Sequence, residues 1–81
     1  MIKIVIADAQ YLIRIGLKNL LAATKDFQIV GEATNSTELI HLVKQYQPQV
    51  VIFDYNSQHN FALDDISSIK RISSATNFLI I

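Results

Sequence analysis

Two aspartates, Asp8 and Asp54, each end an apolar run: Ile2-Lys3-Ile4-Val5-Ile6-Ala7 in the first case and Val50-Val51-Ile52-Phe53 in the second. Carboxylates brought together repel unless a cation or a donor sits between them, and a hard, oxygen-seeking ion such as Mg²⁺ is the natural companion. A carboxylate held against such an ion can attack a phosphoryl group and form an acyl phosphate, while the ion absorbs charge on the transferring oxygens. In that chemistry Asp54 is the candidate nucleophile and Asp8 its acidic neighbour. The plainer alternative is that each aspartate closes its strand by capping the following turn. What separates the two readings is whether the fold places the residues side by side.

The elements around them predict that it does. Ile2 to Ala7 lacks alternation, the pattern of a strand covered on both faces as in parallel sheets. From Gln10 to Ala23, Ile13, Leu17, Leu20 and Leu21 recur at helical spacing and predict the inner face, with Arg14, Lys18 and Asn19 on the other side. Phe27 to Ala33 is strand-like again. Asn35 with Glu38 three residues on is a helix-start signature; Leu39, Ile40, Val43 and Tyr46 follow on one face, and Pro48 closes that helix. Val50 to Phe53 is the most continuous hydrophobic strand, followed by Asp54 and a polar loop to Asn60. Ile66, Ile69 and Ile72 line a third helix, where the helix dipole and solvation account for Asp64 and Asp65 near its start. Phe78 to Ile81 begins a fourth strand.

Strands alternating with helices of this length imply right-handed crossovers and a parallel sheet between layers of helix. In a doubly wound sheet of order 2-1-3-4, strands one and three are neighbours about 4.8 Å apart, and the winding reverses between them. Asp8 and Asp54 then meet at that switch point.

Composition narrows the remaining choices. A chain of 81 residues holds one domain, spanning 1–81, and a core of that size buries only about 60% of the unfolded surface. Lys+Arg and Asp+Glu balance at seven each, so there is no basic field to draw in nucleic acid. Cysteine is absent, which excludes disulfides and thiolate metal sites. The opening apolar run meets Asp8 well short of a spanning helix or a signal segment, so a cytoplasmic location and no membrane contact are expected. Asp8-Ala9-Gln10 stands where a dinucleotide or nucleotide site would have glycines, which sets that enzyme class aside. His41 and His59 are expected at the surface, Phe53 in the core, and Tyr55 lining the pocket or packing on a helix.

Ile4-Val5-Ile6-Ala7-Asp8, Tyr11 to Leu17, Ile29-Val30-Gly31-Glu32-Ala33 and Pro48 to Asp54 together resemble bacterial response-regulator receiver domains, above all those joined to LuxR/NarL-type helix-turn-helix output domains. The resemblance spans the whole chain and implies the α/β, flavodoxin-like receiver fold. It implies a phosphoryl-accepting aspartate at Asp54, an acidic-pocket residue at Asp8, and a metal-binding backbone carbonyl at Asn56, with Mg²⁺ as cofactor. It also implies a sensor histidine kinase as phosphodonor, a non-enzymatic domain, and DNA contact only through an output domain. Two departures stand out. Ala9 occupies the position where receivers usually carry a second acidic residue, the more direct Mg²⁺ ligand, and Ser57-Gln58 stands where Met-Pro is common. The family's switch Ser/Thr, phosphate-binding Lys, fifth strand and last helix would all fall after Ile81, so a receiver incomplete at its C-terminus is expected. An apolar edge at Leu79-Ile80-Ile81 then predicts self-association. With Ala9 in place, the alternative is a pseudo-receiver, an interaction and dimerisation module that works without phosphorylation.

Overall fold

The computed structural model describes residues 1–54 and 60–81. The elements are β1 (Ile2–Ala7), α1 (Tyr11–Ala22), β2 (Phe27–Ala33), α2 (Ser36–Tyr46), β3 (Val50–Phe53), α3 (Asp64–Ile72) and β4 (Asn77–Ile80). All strand pairings are parallel, and the sheet runs β2-β1-β3-β4, the order expected from the alternation of strands and helices.

The central strands β1 and β3 lack alternation because both of their faces are buried. Val5, Ala7, Val51 and Phe53 join Leu39 and Val43 of α2, Ile69 of α3 and Phe61 in the larger core. Ile4, Ile6 and Ile52 form a smaller core on the other face, where Leu17 and Leu21 of α1 pack. Phe53 anchors the larger core, its ring edge-on to Phe61 at 5.4 Å and to Phe78 at 6.5 Å between centroids.

α1 departs in part from the expected orientation: Leu17 and Leu21 pack inward and Lys18 and Asn19 are exposed as expected, while Ile13, Leu20 and Arg14 are not where the spacing puts them. The helix lies against the edge strand β2, so its inner stripe is Arg14, Leu17 and Leu21, at spacing i, i+3, i+7, with Lys18 exposed at the margin as expected. Leu20 is 71% exposed, Ile13 is exposed as well, and no residue of the helix is fully buried. Arg14, expected outside, is turned inward with its side chain only 11% exposed. A helix over a sheet edge meets a polar partner on that edge, and the stripe that can reach Glu32 wins over the one with most leucines.

Glu32 faces α1 because of a bulge in β2. The register passes from Ile4↔Ile29 to Val5↔Gly31, leaving Val30 as an extra residue. Strict alternation would put Glu32 on the same face as Val30, which packs into the α2 side. The extra residue reverses the phase, so Glu32 pairs with Ile6 on the α1 face, while Gly31 and Ala33 turn toward α2. Gly31 is pressed against α2: a Cβ there would lie 2.7 Å from Leu42 Cδ2.

α2 starts as its sequence signature predicts. Asn35 Oδ1 accepts the Glu38 amide at 2.9 Å, and Glu38 Oε1 in return accepts the Thr34 amide at 2.7 Å and hydroxyl at 2.6 Å. The Thr34 hydroxyl and amide hold the Glu38 carboxyl below its usual range. The helix ends at Gln47, which takes the left-handed conformation at φ 44° just before Pro48.

Candidate functional site

The β1–β3 register runs to Ala7↔Phe53, so the next residues, Asp8 and Asp54, leave the sheet together at its carboxyl edge. The ladder continues through them: the Asp54 amide donates to Ala7 O and the Asp8 amide to Ala33 O, both at 3.0 Å. Asp8 is 1% and Asp54 7% exposed. β1 pairs with β2 on one side and with β3 on the other, so this is the point where the winding reverses, the place where open α/β sheets bind their ligands. The side-by-side placement expected from sequence is present.

Asp8 also performs the plainer task. Its Oδ1 accepts the Gln10 amide at 2.8 Å, closing the turn that leads into α1. Its main-chain oxygen accepts from Arg14 Nη1 at 2.8 Å. Arg14 Nε in turn donates to Glu32 Oε1 at 3.1 Å, and Lys18 Nζ reaches Glu32 Oε2 at 2.9 Å. Lys18 and, after the opposing effect of burial, Arg14 hold the Glu32 carboxyl below its usual range. Sequence reasoning missed this network. The available signal was the 14/17/18/21 stripe, in which the two cations recur at the same helical spacing as the two leucines.

Asp65 needs a correction too. It was expected to be solvated at the start of α3, but it is buried, and its Oδ2 accepts from Ser36 Oγ at 2.5 Å and from the Ala62 amide at 2.9 Å. The Ser36 amide donates to Asn60 O at 3.0 Å, so the far end of the loop after Asp54 is tied to the start of α2. A carboxylate that takes two donors can be buried where a lone one could not. His41 lies exposed on α2, as expected. Tyr55, Asn56, Ser57, Gln58 and His59 lie outside the described residues.

As a donor set, Asp8 and Asp54 offer hard carboxylate oxygens, and Ala9 between Asp8 and Gln10 offers no side-chain donor. Among the described residues, no group of three or more His, Cys, Asp or Glu stands ready for a metal. Mg²⁺ typically takes only one or two carboxylates and keeps several waters, so the chemistry of this pair suits it.

No family model matches the chain. The transcriptional regulatory protein YhcZ of Bacillus subtilis is 33% identical over 69 residues, covering 85% of this chain and 31% of that protein. A protein-glutamate methylesterase/protein-glutamine glutaminase of Methanosarcina acetivorans is 31% identical over 71 residues, covering 88% of this chain and 20% of that protein. Among solved structures, RcsB of Salmonella enterica serovar Typhimurium, bound to a promoter in the presence of phosphomimetic BeF3-, superposes with a TM-score of 0.85. That match has 22% identity and covers 99% of this chain and 68% of the other. The fold is therefore that of the response-regulator receiver domain. The chain is similar in sequence to transcriptional regulatory proteins, YhcZ and LiaR of Bacillus subtilis among them. It spans about a third or less of the length of the curated relatives it matches.

Proposed function

We propose that this unit is the receiver of a two-component response regulator and accepts a phosphoryl group on Asp54 from a sensor histidine kinase. The observation that carries the reading is the buried, in-register pair Asp8 and Asp54 at the switch point of the sheet. In the transfer, an Asp54 carboxylate oxygen forms a bond to phosphorus, the P–N bond of a phosphohistidine breaks, and the leaving imidazole keeps the electron pair and takes up a proton. Asp8, Asp54 and the Asn56 carbonyl would hold Mg²⁺, which when bound supplies charge neutralisation on the transferring oxygens. Asp8 keeps the pocket acidic, and Ala9 leaves it one carboxylate poorer than a typical receiver.

The unit itself is a phosphoryl acceptor, not an enzyme, and its output lies in an attached domain. The relatives carry the same unit into a transcriptional regulator and into a methylesterase/glutaminase. The resemblance to LuxR/NarL-type regulators favours a DNA-binding output, which implies work in the cytoplasm. No helix among the described residues is long and apolar enough to cross a membrane.

The full-length protein with Mg²⁺ and a small phosphodonor or beryllofluoride is expected to be modified at Asp54, read by mass spectrometry, and Asp54→Asn should abolish the adduct. No adduct on the wild-type chain at millimolar Mg²⁺ would leave the second reading, a pseudo-receiver that regulates by interaction alone, which Ala9 favours.

Self-association of the 81-residue chain is part of the proposal. β4 is an edge strand whose Leu79 and Ile80, like the following Ile81, are about half exposed, and Asn77–Ile80 contains neither a charged side chain nor a proline to block pairing. Light scattering should give a mass that rises with concentration; a mass fixed at one chain up to millimolar levels removes this part.

A further inference from the structure

We propose that Arg14 is the positioning residue of the acidic site, setting the direction of the Asp8 carboxylate from the opposite side of the β1–α1 turn. The inference rests on the proposed role of Asp8 but is drawn from contacts that the sequence did not suggest. Asp8 is held by groups from different elements: its amide by Ala33 of β2, its carbonyl by Arg14 of α1, and its Oδ1 by the Gln10 amide within the turn. Of these, Arg14 is the one side chain, and it links the β1–α1 turn to β2 through Glu32. Its Nη1 fixes the peptide that follows Asp8, while its Nε is anchored on Glu32, the neighbour of Ala33 in β2.

The guanidinium is itself confined. Its carbon lies 5.6 Å from the centre of the Tyr11 ring, and Lys18 takes the second oxygen of Glu32. A planar fork held at Nε by one carboxylate can aim Nη1 at a single carbonyl, which a lysine ammonium on a flexible stem cannot do. Rotation of the Asp8–Ala9 peptide would break the Arg14 contact and the turn closed by Asp8 Oδ1 together. The direction of the carboxylate is therefore locked before any ion or phosphoryl group arrives, as a preorganised site requires. With no second carboxylate at Ala9, the site depends more heavily on Asp8 standing in one orientation.

The test measures amide hydrogen exchange on the 81-residue chain and Mg²⁺ binding by titration, in the wild type, Arg14→Met, Arg14→Lys and Glu32→Gln. In Arg14→Met the Gln10 amide should exchange about tenfold faster relative to the β3 amides, the weight of one charge-assisted hydrogen bond. Mg²⁺ affinity should fall with it. Arg14→Lys should recover part of both losses. Glu32→Gln, which keeps the Asp8 contact and so is the milder variant if Arg14→Met does not fold, should raise the same ratio about threefold. A merely structural arginine would speed the Gln10 and β3 amides alike, and an unchanged ratio in the folded variants overturns the proposal. A wild type that binds no Mg²⁺ counts against the metal in the proposed function, while the exchange ratio still decides the role of Arg14.

Discussion

Ala9→Asp is expected to tighten Mg²⁺ binding about ten- to a hundredfold. Ala9 follows Asp8 in a turn already fixed by the Gln10 amide and by Arg14, so a carboxylate added there joins a rigid frame. At an effective dielectric near 20, a unit charge about 4 Å from another is worth about 4 kcal/mol, and more against a divalent ion. Stripping water from both the carboxylate and the ion cancels much of that gain, and a remainder of about 1.4 to 2.8 kcal/mol corresponds to the stated range. Without metal the added charge crowds Asp8 and Asp54, so the apo domain should lose stability while the holo form recovers it. Calorimetric titration gives the affinity, and thermal midpoints with and without Mg²⁺ give the rest. An affinity unchanged by the substitution would mean that the Asp8–Asp54 site is not where the ion sits.

Phe53→Ala should cost about 3 to 5 kcal/mol, the usual range for emptying a buried aromatic site. Phe53 precedes Asp54, is buried, and meets Phe61 from the start of the α3 region and Phe78 from β4. Domains of this size hold roughly 4 to 12 kcal/mol in all, so the variant should be largely or wholly unfolded at temperatures the wild type tolerates. Phe53→Leu keeps most of the volume but gives up the edge-on ring contacts, and its urea midpoint should fall between wild type and Phe53→Ala. Equal losses for leucine and alanine would mean that the ring contacts, and not filled volume, account for the effect.

Much of the fold was legible because the relevant signals are local. Val50 to Phe53 reads as a doubly covered strand, Asn35 with Glu38 as a helix start, and Pro48 as a stop, and each lies where its chemistry puts it. The meeting of Asp8 with Asp54 was legible for a different reason: once strands and helices alternate, the order 2-1-3-4 makes β1 and β3 neighbours without any knowledge of side chains. Asp65 was misread because its partner, Ser36, is distant in sequence, and nothing near Asp65 distinguishes a buried acceptor from a solvated charge. Arg14 was misread because its orientation depends on Glu32, and the face of Glu32 depends in turn on the bulge at Val30. An apolar residue that bulges looks, in sequence, like any other strand residue.

That bulge makes β2 sensitive to register in a way that it is not sensitive to identity. Exchanging Val30 for another β-branched residue leaves the reading frame of the strand intact. A ladder that ran straight through Val30 would shift that frame by half a period, turning Glu32 toward the α2 core and Gly31 toward α1. The Arg14 brace would lose its anchor even though every one of its atoms was still encoded. The precision of the acidic site is therefore stored partly as a register shift in a neighbouring strand.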